Sequence, residues 1–259
     1  DETINYTFKV RIDYDATTEK ASGKTFKGKL RVVATQPVGE KVSEAVLENL
    51  GDNGSTYDDD VDTFITGTDP NNYIWYSGKL WRAVSVNNEA KTTKLVTQWN
   101  ISAITYSSGN TAFEGSYMEE WLNDTTVDGF LGNLRDYEKF IVTDATWDAT
   151  MDATDLGSIT RPNGTTTVTA PVGLLNMYEY QSSNNGRTDG YLNNGLWWWT
   201  LTPYSSSYVR YVGNGGSAIN YSPSGNSDGA RPSINLKSNV KIVDGDGTID
   251  NPYRLNGDN

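Results

Sequence analysis

The chain has 259 residues and a formal net charge of −12, and it contains neither cysteine nor histidine. Without cysteine it has no disulfide, thiolate nucleophile or cysteine-based zinc site, and without histidine it lacks the commonest general base and transition-metal ligand. A Ser-His-Asp triad, a zinc hydrolase and a Cys-His protease are therefore excluded, and we expect a protein that is not an enzyme and has no catalytic residues.

Charge and hydropathy limit the partners and the location. An acidic chain repels nucleic-acid phosphates, so we do not expect nucleic acid to bind. No run of about 18 apolar residues occurs, so we do not expect this segment to insert into a membrane. No signal peptide is visible and the sequence starts abruptly in a strand-like pattern. We therefore expect a leader or anchor to lie outside this segment.

The sequence of the N-terminal region predicts two strands. Apolar and polar side chains alternate over residues 4–14 and again around 26–34, a pattern that predicts a β-hairpin. We assign residues 1–38 to a small hairpin or stalk element and residues 39–259 to the main domain, a length that fits one large domain.

The next segments predict a helix, an acidic loop and a hairpin. Residues 39–50 place apolar side chains at helical spacing before Gly51. Aspartates in the loop 58–62 have the alternation that can hold Ca²⁺, although a solvated acidic loop is the alternative. The strand-like segments 73–76 and 79–86 flank Ser77-Gly78, which predicts a tight turn.

The middle of the chain alternates between strands and helices. Residues 94–99 predict a strand, Ser116 has capping-box spacing for a helix through Leu122, 127–141 forms a second amphipathic segment, and 173–180 a short helix. Short strands and loops follow, so the fold class is α+β.

A contact surface is predicted in the last third of the chain. Trp197, Trp198 and Trp199 precede a run rich in Tyr, Asn, Ser and Gly, the composition of antibody contact loops. In a strand, Trp197 and Trp199 share one face and Trp198 points to the other. Packing of all three tryptophans in the core is the alternative, but Trp199 could form the floor of a binding site.

Aromatic and arginine side chains dominate binding hot spots, and small polar side chains supply adaptable hydrogen bonds. A surface loop without a ligand is the alternative. The candidate ligand-binding residues on this basis are Trp199, Tyr204, Ser206, Tyr208, Arg210, Tyr211, Asn214, Asn220, Tyr221 and Asn226.

Two other groups of residues have structural explanations. Arg82 and Arg231 are expected to stabilise the fold by bridging backbone carbonyls or a buried carboxylate. Asp244, Asp246 and Asp250 have calcium-like spacing but lack the terminal glutamate of an EF-hand, so a turn is the favoured interpretation and Ca²⁺ a weak alternative. We expect no cofactor.

Several segments occur in an order typical of one family. They are 73–82, 196–204, 229–236 and 245–253, and together they resemble an uncharacterised family of surface domains from Gram-positive bacteria. That family is similar to the formylglycine-generating-enzyme branch of the C-type lectin fold. The same branch includes the variable proteins of diversity-generating retroelements, which display variable ligand-binding residues in their C-terminal region.

The resemblance implies a C-type-lectin-like domain at the bacterial cell surface. It implies a ligand-binding or adhesion role, with a protein or glycan on another cell as the partner. The oxidase activity of the enzyme branch depends on paired cysteines, and calcium-dependent sugar binding depends on motifs that are missing here. The run 204–228 has the composition of diversified segments, although a Ser/Asn/Tyr-rich family loop is the alternative. A second functional hypothesis is a structural subunit of a surface filament or pseudopilus, with residues 1–38 as its assembly element.

Overall fold

The computed structural model describes residues 39–153, 160–184 and 188–258. These residues belong to the second of two compact units, Gln36–Asn259. The predicted hairpin over residues 1–38, and with it the assembly element of the filament hypothesis, lies outside the described residues.

The described residues contain few helices and many short strands. The helices are α1 (Val42–Glu48), α2 (Tyr117–Asn123), α3 (Tyr137–Phe140) and α4 (Met177–Ser183), with one 3₁₀ turn at Leu131–Asn133. The strands are β1 (Gly54–Asp58), β2 (Asp62–Gly67), β3 (Tyr73–Tyr76), β4 (Lys79–Asn87), β5 (Thr93–Thr97), β6 (Ser102–Thr105), β7 (Thr146–Asp148), β8 (Thr167–Thr169), β9 (Val172–Gly173), β10 (Trp198–Pro203), β11 (Val209–Val212), β12 (Ala218–Tyr221), β13 (Ser227–Ala230), β14 (Ser233–Leu236), β15 (Ile242–Asp244) and β16 (Tyr253–Leu255).

The described strands form three sheets. The largest has the order β15-β16-β3-β4-β5-β14-β9, with β2 also paired to β4 and β1 to β2. A five-stranded sheet has the order β12-β11-β10-β13-β6, and β7 pairs with β8. A sheet-rich α+β fold is therefore confirmed at the level of fold class.

The predicted turn at Ser77-Gly78 is confirmed. Both residues have positive φ, 53° and 72°, as a two-residue hairpin of the primed type requires. Strands β3 and β4 pair from Tyr73 with Arg82 to Tyr76 with Lys79.

The helix predictions are confirmed at three places. Helix α1 buries Val42, Ala45 and Val46. Helix α2 begins after Ser116, whose Oγ accepts a hydrogen bond from the Glu119 backbone N–H at 3.0 Å. Helix α4 starts later than predicted, because Asn176 and Glu179 form the capping box that fixes its first turn.

The segment 127–141 is not one amphipathic helix. It contains a 3₁₀ turn and the one-turn helix α3, separated by Asp136 in the left-handed conformation with φ of 47°. Gly132 lies so close to the chain that a Cβ there would be 2.0 Å from the Thr126 carbonyl oxygen. Most of its apolar side chains are nevertheless buried, with Val127, at 82% exposed, as the exception. The pattern therefore identified core residues and not the helix.

Two buried arginines connect separate parts of the chain, as predicted. Arg231 is fully buried and donates to the carbonyls of Thr97 (2.8 Å), Leu192 (2.5 Å) and Gln98 (3.4 Å). Burial lowers the pKa of Arg231 to about 9, which leaves the guanidinium charged at neutral pH. Arg82 donates to the Asn72 side chain at 2.6 Å and to the Pro70 carbonyl at 3.2 Å.

Candidate ligand-binding surface

The three consecutive tryptophans divide between two faces of the five-stranded sheet. Trp198 packs edge-on against Tyr180, with ring centroids 5.3 Å apart, and lies beside the Arg231 guanidinium. Trp197 and Trp199 both contact the ring of Tyr211. The predicted alternation is therefore confirmed, although strand β10 begins only at Trp198.

Five rings contact one another on the second face, and we call them the aromatic cluster: Tyr106, Trp197, Trp199, Tyr211 and Tyr221. Trp199 is at the centre, with ring centroids 5.5 Å from Tyr106, 5.0 Å from Tyr211 and 6.4 Å from Tyr221. Tyr211 and Tyr221, on neighbouring strands, are 5.9 Å apart. Each ring therefore has at least one aromatic neighbour that limits its motion.

The cluster has a buried base and an exposed outer part. Trp199 and Tyr211 are 0% and 3% exposed, whereas Trp197 and Tyr221 are 44% and 37% exposed. The exposed rings thus rest on buried rings. An ordered aromatic side chain loses little further conformational entropy when a ligand covers it.

Polar groups hold this arrangement in place. Burial, together with the nearby Asp228 carboxylate, raises the pKa of Tyr211. Asn226 Nδ2 donates to the Tyr221 hydroxyl oxygen at 3.1 Å, and Asn100 Nδ2 donates to the Trp197 carbonyl at 2.8 Å. Two side-chain amides, those of Asn226 and Asn100, therefore fix the exposed part of the cluster.

The predicted ligand-binding residues separate into three groups in the structure. The buried ones are Trp199, Arg210 and Tyr211; Tyr204 is half-buried; and the exposed ones are Ser206, Tyr208, Asn214, Asn220, Tyr221 and Asn226. The buried side chains cannot be the primary contacts that composition alone suggested, because both faces of β10 and β11 are covered. Trp199 and Tyr211 instead support the exposed rings.

Arg210, Tyr204 and Tyr208 do not belong to the aromatic cluster. The Arg210 guanidinium lies 4.5 Å from the centre of the Tyr204 ring, and its Nε donates to the Asp152 carbonyl at 3.1 Å. Tyr204 and Tyr208 close the loop between β10 and β11 through a backbone hydrogen bond of 2.8 Å. Tyr208 is 45% exposed at this loop.

Trp197 is the residue that sequence reasoning missed. It lies on the predicted face but just before the strand, where the chain leaves the sheet and the ring is only half covered. The residues just before the strand indicated its exposure, because a glycine at this place is typical of a turn. In the structure, Gly195 has positive φ and Leu196 is 41% exposed. The alternation of side chains predicted the correct face for Trp197, but it did not predict that the strand begins only at Trp198.

The surrounding sequence carries almost no charge. Between Gly190 and Ser227, Arg210 is the only charged residue, and it is 3% exposed. In a chain with 54 charged residues, 21 basic and 33 acidic, this neutrality is local. The aromatic cluster therefore presents rings, amides and hydroxyls within an uncharged stretch of chain.

The aspartates weighed as calcium ligands form turn hydrogen bonds. Asp246 Oδ1 accepts from the Thr248 backbone N–H at 3.0 Å and from its hydroxyl at 2.7 Å. Burial opposes ionisation of Asp246, but these hydrogen bonds outweigh it and lower the pKa. Asp244 Oδ1 accepts from the Gly245 N–H at 2.7 Å, and Asp250 is exposed. Within the described ranges, no group of three acidic side chains is positioned to hold a metal ion.

The acidic loop 58–62 is the turn between β1 and β2. Asp59 lies mostly buried and accepts hydrogen bonds from the Tyr178 hydroxyl, from Arg161 (2.7 Å) and from the Asp62 backbone (2.8 Å). Burial opposes ionisation of Asp59, but these bonds lower its pKa overall. The loop is thus partly an ion-paired structural element and not a uniformly solvated one.

The fold and this surface define a sheet-rich α+β domain with exposed tryptophan and tyrosine rings stacked on a buried aromatic base. Residues 91–238 match the model of a family described as a domain of unknown function, DUF6273. The match covers more than half of the chain, so the protein belongs to this family. It includes the whole five-stranded sheet and with it the aromatic cluster.

No curated protein and no solved structure shows a significant match to this chain. Among the described residues, no helix has the length and apolar character that crossing a membrane requires.

Proposed function

We propose that this protein is a non-catalytic ligand-binding domain of the bacterial cell surface, and that it mediates adhesion by binding a protein or glycan on another cell or surface. The contact surface is the outer part of the aromatic cluster. The observation that carries the proposal is that Trp197 and Tyr221 remain exposed while they rest on the buried rings of Trp199 and Tyr211.

The chemistry of the surface fits recognition better than catalysis. Tryptophan and tyrosine supply large contact areas and are enriched among residues that dominate binding energy. Aromatic rings also stack against the apolar faces of sugar rings, while amides such as that of Asn226 hydrogen-bond to hydroxyls. Neither contact needs a metal ion. This agrees with our proposal that the domain has a C-type-lectin-like scaffold but lacks the calcium-binding motifs of calcium-dependent lectins.

Diversification of this surface by a retroelement is part of the proposal. The exposed positions 206, 214, 220 and 226 can change without disturbing the core, whereas Trp199 cannot. Related copies from one genome should therefore differ at the exposed positions and agree at the buried ones. A reverse-transcriptase gene beside a near-copy of this coding segment would support the idea, and variation spread evenly over buried and exposed positions would contradict it.

The binding function is tested by screening the protein on an array of glycans and on an array of cell-surface proteins. We expect at least one class of partner to be retained by the wild type and lost by Tyr221→Ala. Tyr117→Ala removes another exposed tyrosine, 50% exposed on α2, and should bind like the wild type. Equal binding by both variants, or no binding on either array, would contradict the proposal.

A further inference from the structure

A cavity of 420 Å³ opens on a part of the domain that shares no residue with the aromatic cluster. Its walls are formed by the large sheet, by the start of helix α4, by the segment around Asp144 and by Arg161. This volume is within the range of small-molecule sites.

One wall is a polar row that crosses three strands. Ser85 on β4 pairs with Lys94 on β5, and Lys94 pairs with Asn235 on β14. Directly paired residues lie on the same face of a sheet, so these three side chains are adjacent on the cavity wall. The residues beside them on β5 and β14, Leu95 and Ile234, are fully buried and apolar.

A β-bulge produces this row. The pairing of β4 with β5 shifts by one residue between Ala83 and Ser85. A bulge of this kind re-aims side chains and is common beside functional sites. Without the extra residue, Ser85 would not lie opposite Lys94.

The polar row contains unused hydrogen-bonding capacity. Ser85 is only 3% exposed, and its hydroxyl makes no hydrogen bond to any residue in the described part of the chain. Ser85 Oγ is not among the described side-chain atoms that are both fully buried and without a partner, so this hydroxyl is accessible from the cavity that Ser85 lines. The hydroxyl of Thr92 and the side-chain amide of Asn235, also on the wall, have no partner within the same residues.

The charges of the cavity leave a net negative rim. Lys94 forms an ion pair with Glu179 and lies over the Trp147 ring, and Arg161 Nη2 lies 2.7 Å from Asp62. The acidic lining residues outside these pairs are Asp144 and Asp148.

Asp148 accepts hydrogen bonds from the backbone N–H groups of Thr150 and Gly164. The exposed Asp144 carboxylate has no partner among the described residues. The cavity thus combines neutral hydrogen-bonding groups inside with uncompensated negative charge at its entrance.

From this combination we propose that the cavity binds a small protonated amine that carries several hydroxyl groups, of the size and chemistry of an amino sugar. The hydroxyls of the ligand bond to Ser85, Thr92 and Asn235, and its ammonium group lies against Asp144. This site is separate from the adhesion surface and does not depend on it.

The test is isothermal titration calorimetry of the whole protein with D-glucosamine, D-glucose and N-acetyl-D-glucosamine. We expect D-glucosamine to bind with a Kd on the order of 1 mM, as suits a small ligand. The two neutral sugars should bind at least about tenfold more weakly, because they lack the ammonium group.

Two substitutions test the assignment of roles. Ser85→Ala and Asp144→Asn should each weaken D-glucosamine binding by about tenfold, and Asp144→Asn should also abolish the preference over D-glucose. Asp128→Asn makes the same charge change at an exposed position outside the cavity and should leave binding unchanged.

Melting temperatures should accompany each titration, and if Ser85→Ala does not fold, Asp144→Asn decides the question alone. No binding of D-glucosamine up to about 20 mM, equal binding of the three sugars, or an equal effect of Asp144→Asn and Asp128→Asn would overturn the proposal.

Discussion

The indole of Trp197 stacks on the ring of Tyr211, with centroids 5.5 Å apart and an angle of 25° between the planes. One partner of this pair is 44% exposed and the other 3%. The half-exposed indole of Trp197 is therefore in direct contact with a ring that belongs to the buried core. An exposed aromatic side chain held in this way is ready to bind without further ordering.

The neighbouring tryptophans should separate binding from stability. Trp197→Ala should weaken partner binding at least tenfold while changing the free energy of unfolding by about 1 kcal/mol, because the ring is half exposed. Trp198→Ala removes a fully buried ring and should cost about 3–5 kcal/mol. Urea denaturation measures stability, and surface plasmon resonance with the partner from the arrays measures binding. If Trp197→Ala destabilised the fold as much as Trp198→Ala, the indole would be a core residue and not a contact residue.

Arg231 should be one of the most sensitive positions for folding. Arg231→Met fills a similar volume but leaves three buried carbonyls with fewer donors, so we expect a loss of about 3 kcal/mol or more in the free energy of unfolding. Arg254→Met, at an exposed arginine that lies over Trp75, is the matched control and should cost less than about 1 kcal/mol. Thermal denaturation compares the two, and similar melting temperatures would show that Arg231 does not connect these segments.

Binding through the aromatic cluster should be insensitive to salt. The exposed side chains between residues 190 and 227 are uncharged, so no ion pair formed by this stretch contributes to affinity. We expect the Kd to change less than about twofold between about 0.05 M and about 0.5 M NaCl. A tenfold loss of affinity over this range would place the contact on the charged parts of the domain.

Asp59 should contribute to stability in a pH-dependent manner. Its folded-state pKa is lowered, so its ionised form stabilises the fold above the unfolded-state value of about 4, and this contribution is lost as the pH falls through the folded-state pKa. Asp59→Asn should reduce stability by about 1 kcal/mol at neutral pH and show a shallower decline below pH of about 4. Asp52→Asn, at an exposed position, should follow the wild-type profile, and identical profiles for both variants would contradict this role.

Local patterns predicted much of the fold. The Ser77-Gly78 turn, the Ser116 cap and the faces of the three tryptophans follow from spacing and turn chemistry, which act over a few residues. The interruption of the helix in the segment 127–141 does not follow from these local patterns, because it arises where Gly132 lies against the Thr126 carbonyl.

The candidate site was predicted less completely than the fold. Composition identified the stretch of chain that contains most of the aromatic cluster, but it could not separate buried Tyr211 from exposed Tyr221, since burial depends on which strands lie beside each residue. The polar row of Ser85 and Lys94 depends on a bulge in strand pairing, which residue spacing alone does not reveal.

The most direct test of the central claim is hydroxyl-radical footprinting of the protein with and without its partner. We predict that oxidation of Trp197 and Tyr221 falls at least about fivefold in the complex, because exposed aromatic residues at the centre of an interface lose their solvent contact. Tyr117, on α2, should be oxidised equally in both states. Unchanged oxidation of Trp197 and Tyr221 in a saturated complex would contradict the claim that the aromatic cluster is the contact surface.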